Sequence, residues 1–179
     1  MAAVLGDFYL EDVRRQFHGQ KKLAEKAMAQ ITDEQFFTAL DSESNSIALI
    51  VKHIAGNLRS RWTDFYSSDG EKPDRHRDSE FEKAPEDTRE SLLELWEAGW
   101  GRLFEVVDSM KPEDLSRTVT IRGEPHSVVK AVNRQLAHYA YHAGQIVFLA
   151  KHFAGGRWQS LSIPRGQSET FNAEKRTAK

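Results

Sequence analysis

Leu136-Ala137-His138-Tyr139-Ala140-Tyr141-His142-Ala143-Gly144-Gln145-Ile146 is the stretch on which the fold and chemistry of this chain turn. His138 and His142 are four residues apart. On a helix that spacing puts both imidazoles on one face, with Cβ atoms about 5–6 Å from each other. The same face carries Val128, Ala131, Gln135, Ile146 and Leu149, most of them apolar. It is therefore a buried stripe, and the histidines point inward. A buried imidazole needs a hydrogen-bond partner or a metal ion. Two readings stand at this point: core histidines bonded to their neighbours, or two ligands of one ion. No Glu follows His138, so this is not the His-Glu-x-x-His motif, which brings its own general base.

Outward from this helix, the chain reads as three earlier ones. Phe8 to Gln30 has an imperfect apolar face of Phe8, Val13, Phe17, Leu23 and Met28. Thr32 to Phe36 follows as a capped turn or short helix. Ser42 to Tyr66 holds the second long helix, with Ser44-Asn45-Ser46 offering capping oxygens and Ile47, Ile50, Ile54, Leu58 and Trp62 as its stripe. His53 sits at the border of that stripe. Gly56 beside it either lets another helix approach or leaves room next to a site. Ser67 to Pro85 is a long polar connection of alternating charge, expected to be a solvated segment with ion pairs and to serve as a binding loop or a mobile one. Glu86 to Met110 is the third long helix. Thr118 to Ile121 alternates and is β-branched, Arg122 to Pro125 turns, and Ser127 caps the fourth helix, which runs from Val128 to Phe153 and ends at Gly155-Gly156.

The expected fold is all-α: a four-helix bundle with a short β-hairpin before the last helix and an irregular C-terminal tail. It is one domain over residues 1–179, with 155–179 as a non-helical tail and Ala173 to Lys179 disordered. In such bundles, metal sites form from side chains on facing helices. His152 is ten residues beyond His142, about 15 Å along the axis, and cannot share its ion. His126 precedes the helix. By elimination His53 is the best third ligand, and three imidazoles make a zinc-type site with one open position.

Composition narrows the function. The 179 residues hold no cysteine, which excludes disulfides, thiolate ligands and a cysteine nucleophile. Net charge is −2 with both signs mixed, so no basic footprint for nucleic acid or an anionic membrane exists. Met1 to Leu10 has no basic region followed by a long apolar run, and no window approaches a membrane span. A soluble cytoplasmic protein is expected.

Lys52-His53-Ile54-Ala55-Gly56-Asn57, taken with His138-x3-His142-x-Gly144-Gln145-Ile146, resembles the DinB/YfiT-like superfamily of bacterial four-helix-bundle proteins, and within it a DinB-like subfamily of unknown function. The likeness extends over Asn45 to Ile47, Gly56 to Trp62, Asp69 to Pro73, Arg77 to Phe81 and Leu161 to Gly166, nearly the whole chain. It implies an up-down-down-up bundle, often a homodimer, and a divalent metal (zinc, nickel or manganese) held by His53, His138 and His142 with water completing the shell. Superfamily members include thiol S-transferases that use bacillithiol and a mycothiol-dependent maleylpyruvate isomerase.

The leading expectation is therefore metal-dependent transfer of a low-molecular-weight thiol to a small electrophile. Arg61, Arg134 and Arg165 would anchor an acidic thiol, or else make surface ion pairs. Asn57 and Gln145 would orient imidazoles, with a core or capping role standing equally open for Gln145. Tyr139 and Tyr141 point to other faces and are read as packing or dimer residues. The rivals are a metal-dependent hydrolase and a non-enzymatic dimeric protein stabilised by metal.

Overall fold

The structure, a computed structural model, describes residues 2–177. Four long helices carry it: α1 (Ala2–Met28), α3 (Ile47–Trp62), α4 (Arg89–Ser109) and α5 (Val128–Ala154). A five-residue helix, α2 (Asp33–Phe37), follows α1. The hairpin β1 (Thr118–Ile121) and β2 (Glu124–Ser127) leads directly into α5.

Local chemistry sets the boundaries. Thr32 and Gln35 form a reciprocal capping box at α2. Ser46 accepts from the Leu49 N–H and Ser127 from the Lys130 N–H, each satisfying an amide that its helix leaves unpaired. Gly155 ends α5 at φ 55°, where a side chain is strained. α1 starts earlier than its apolar pattern predicts, because Leu5 on its first turn is exposed and lies outside that pattern; Phe8, read from sequence as part of the apolar face, is exposed as well.

α3 packs along α4 and α1 along α5, with α3–α5 and α1–α4 contacts between the pairs. Each long helix gives one large aromatic to a shared centre: Phe17, Trp62, Trp100 and Tyr139. Phe17 meets Trp62 edge-on at 5.9 Å between centroids, and Trp100 meets Tyr139 at 5.4 Å. Such pairs contribute about 0.5–1.5 kcal/mol each beyond their burial. The Tyr139 hydroxyl accepts from Trp62 Nε1 and donates to Asn57 Oδ1, both at 3.0 Å, so the polar tip of this buried ring is satisfied. At Gly99 an added Cβ would stand 2.9 Å from Leu58 Cβ, so this glycine permits the close α3–α4 approach.

Two expectations are corrected. The tail is not wholly irregular: Ser168–Thr177 forms a helix, α6, and so includes most of the stretch expected to be disordered. It buries no residue, so no apolar stripe announces it. Glu169 in its first turn and Lys175 and Arg176 in its last complement the helix dipole instead. Lys179 and its neighbour Ala178 lie outside the described residues. The polar connection after α3 is also not simply solvated. It contains a 3-10 turn, Arg77–Phe81, that packs against α3, and the Glu80 side chain there is only 9% exposed. Burial is tolerated because Arg75 and His53 supply its hydrogen bonds.

Candidate metal centre

α3 and α5 bring His53, His138 and His142 together, with one nitrogen from each ring lying within 4.8 Å of the other two. His138 Nε2 is 3.3 Å from His53 Nε2 and 3.2 Å from His142 Nε2. The far nitrogens fix two of the tautomers. His53 Nδ1–H donates to Glu80 Oε2 at 2.8 Å, and His142 Nδ1–H donates to Gln145 Oε1 at 2.7 Å. Both Nε2 atoms then carry lone pairs aimed at His138 Nε2. One proton on His138 Nε2 can serve only one of them at a time. His138 Nδ1 is itself buried with no partner. Three converging imidazole nitrogens with too few protons between them are the donor set that a cation satisfies.

Electrostatics favour the neutral, ligating form. Burial pushes the His138 pKa down to about 3, reinforced by His142, His53, Arg61 and Arg75. Burial also lowers His142 to about 4, against the Gln145 hydrogen bond and with the help of His53.

Behind His53 stands a chain of alternating charges. Arg75 forks onto Glu80 with bonds of 2.7 and 2.8 Å and reaches Glu71 at 3.3 Å. Glu71 also accepts from Arg61 and Arg122, each at 2.9 Å. Burial raises the Glu80 carboxyl, but hydrogen bonds from His53 and Arg75 outweigh it and hold the net pKa below its usual range. Gly56 makes this arrangement possible, since an added Cβ would stand 2.7 Å from Glu80 Cδ. It therefore makes room for a carboxylate beside the site, rather than for another helix.

In front of the histidines lies a cleft of about 400 Å³. His53 and His138 line it, together with Arg61, Arg75, Arg77, Arg122 and Arg134. No Asp or Glu is among the lining residues. Asp69 holds one lip in place by accepting from the Arg122 and Gly123 amides at 2.8 Å each, across the hairpin turn. Arg61 is tied to Gly70 O and Glu71, and its Nε is buried without a partner.

The family model described as "Protein of unknown function (DUF1572)" matches residues 5–167. The chain belongs to this family. No curated protein matches it. The match spans α1 through the start of the tail, so all three histidines of this DUF1572 member, and Glu80 with them, lie inside the family's extent.

The other sequence candidates divide. Gln145 holds His142. Asn57 lines the cleft, but its Oδ1 is taken by the Tyr139 hydroxyl rather than by an imidazole. Arg61 and Arg134 line the cleft, whereas Arg165 lies exposed in the tail and does not. Tyr141, read from sequence as pointing away, packs tilted against His142 at 4.0 Å between centroids and walls the cleft. Glu80, Arg75, Arg77 and Arg122 escaped the sequence reading, because loop residues have no periodicity to betray their direction. The one usable signal is Phe81, the only aromatic residue in that polar connection, which packs 4.8 Å from the His53 ring and pins the loop there.

Proposed function

We propose that this chain is an up-down-down-up four-helix bundle of the DinB/YfiT-like kind, and a metal-dependent enzyme that transfers a low-molecular-weight thiol to a small electrophile. His53, His138 and His142 would hold a divalent ion such as zinc, nickel or manganese. The observation that carries this reading is the convergence of three imidazole nitrogens against an arginine-lined cleft that contains no carboxylate. A bound divalent cation with three neutral ligands supplies Lewis acidity that favours the deprotonated form of a thiol or water.

The chain's own residues favour thiol over water. Hydrolysis calls on a general base within hydrogen-bond reach of the attacking water, and the cleft wall offers no carboxylate for that role. Glu80, just behind, is committed to His53 and Arg75. A thiol needs less help, being far more acidic than water. In the transfer, the thiol would release its proton to bulk water, its sulfur would bond to the electrophilic carbon, and the leaving group would depart with the bonding pair as an anion. Arg77 and Arg134 at the cleft would hold carboxylates of the thiol, while Glu80 and Gln145 keep the imidazoles oriented. Two copies would associate through exposed apolar residues such as Leu5 and Phe8 of α1.

The test is metal content by mass spectrometry for wild type, His53→Ala and His142→Ala, followed by a thiol-transfer assay with a generic aryl halide. One equivalent of metal in wild type, lost in both variants, with turnover that needs both metal and thiol, is the expected result. Turnover without any thiol would replace transfer by hydrolysis. No metal uptake after reconstitution would reduce the histidines to core residues.

A further inference from the structure

The histidine cleft has a neighbour on the other side of Tyr141. There the loop between α2 and α3 and the flank of α5 line a second cavity of about 520 Å³. Ile50 and Leu149, both buried, give it an apolar floor. Leu40 and Phe148 form its outer walls and are 42% and 65% exposed. Gly144 lies in its wall, and an added Cβ there meets nothing within 4 Å. The volume falls in the range of small-molecule sites, about 300–1,000 Å³.

Two features tie this cavity to the histidines. Tyr141 is a wall of both cavities and packs against the His142 ring. Gln145, which holds His142 Nδ1, also lines the second cavity. Any occupant would therefore sit against two residues that contact the His142 ring. The two cavities are opposite in charge. Five arginines line the first, whereas the second has no cation in its wall and a single acid, Glu43. Anions are drawn to one and repelled from the other.

We infer that the second cavity binds an uncharged small molecule with an aromatic or branched aliphatic part and a hydrogen-bonding end, met by Ser44, Asn45 and Gln145 in its wall, and that Tyr141 divides this partner from the anionic one. Its assignment as the electrophile's site rests on the two-substrate reading above. Its binding chemistry does not.

The experiment is a fluorescence titration with the neutral probe phenylnaphthylamine, on metal-free and metal-loaded protein, for wild type, Gly144→Ala and Gly144→Leu. Both substitutions remove a helix-weakening glycine into open space, so the variants fold. Saturable binding of one probe per chain is expected for wild type in both metal states. It should be nearly unchanged in Gly144→Ala and about tenfold weaker in Gly144→Leu, which fills the cavity. Metal content stays the same throughout. Absence of saturable binding, or equal binding in Gly144→Leu, overturns the inference. So does sedimentation showing a dimer that Gly144→Leu dissociates while wild type takes up no probe, because the occupant is then a second copy of the chain. Probe binding by a protein that takes up no metal leaves the cavity standing and removes the metal-enzyme reading instead.

Discussion

Glu80→Gln changes a single charge at the point where the polar loop meets the three-histidine cluster, and its consequences can be worked through. The carboxylate fixes the His53 tautomer through a 2.8 Å bond and adds negative charge behind the ring. Outer-shell partners of this kind are worth about 10- to 100-fold in metal affinity, or about 1.4–2.7 kcal/mol. Glutamine keeps an acceptor for His53 and loses the charge, so the lower end, about tenfold, is expected. A second effect falls on Arg75, whose side chain is 2% exposed. It loses its forked anionic partner and keeps only Glu71 at 3.3 Å. Stranding a buried charge completely costs about 3–5 kcal/mol, so partial stranding should cost about 2 kcal/mol. Metal affinity is read by competition with a chelating dye at fixed pH, and stability by urea unfolding of the metal-free protein. The double variant Arg75→Gln/Glu80→Gln separates the effects: stability should recover toward wild type while metal affinity stays weak. Wild-type metal affinity in Glu80→Gln would falsify the reasoning about His53. A double variant less stable than Glu80→Gln alone would refute the account of Arg75.

Three further outcomes follow from the same geometry. Gly56→Ala should weaken metal binding and destabilise the protein, despite a helix-propensity gain of about 1 kcal/mol, because its Cβ collides with Glu80; a more stable variant with unchanged metal affinity would mean that Glu80 is free to move. The metal-free protein should lose stability as pH falls from about 6.5 toward 4. The unfolded chain then holds protons that His138 and His142, with folded values of about 3 and about 4, do not. The slope, read by urea unfolding at several pH values, cannot exceed about 1.4 kcal/mol per pH unit per group, the limit for one proton; a flat profile through this window would mean the folded pKa values are not depressed. Chelation should leave the helical circular dichroism intact and lower the melting temperature by about 5–10 °C, from about 2.7 kcal/mol of linkage at free metal one hundred times Kd; loss of the helical signal would instead make the ion structural.

The sequence reading reaches furthest where periodicity speaks. The four long helices, the hairpin and the caps at Ser46 and Ser127 stand where apolar spacing and turn chemistry put them, and the three histidines meet. It falls short where direction is set by tertiary contact. Glu80 and Arg75 sit in a run of alternating charge that looks the same whether it faces water or folds under a helix. Tyr141 lies one residue from His142 and by helical angle alone belongs to another face, yet its long ring swings back over the imidazole. α6 buries nothing and so leaves no pattern to read.

The separation of the site's parts along the chain also orders events during synthesis. His138 and His142 can meet as soon as their helix forms, but His53 lies 85 residues before His138, and Asp69 lies 53 before the Arg122 amide that it holds. A chain growing at about 5–20 residues per second exposes His53, Glu80 and Arg75 well before α5 exists. Until α5 docks, these three can pair with one another and offer an ion only one imidazole. On the proposed three-histidine reading, an ion would therefore not guide the early collapse of the helices. It would enter only once the last long helix is in place, and its capture would mark a chain whose long helices have docked.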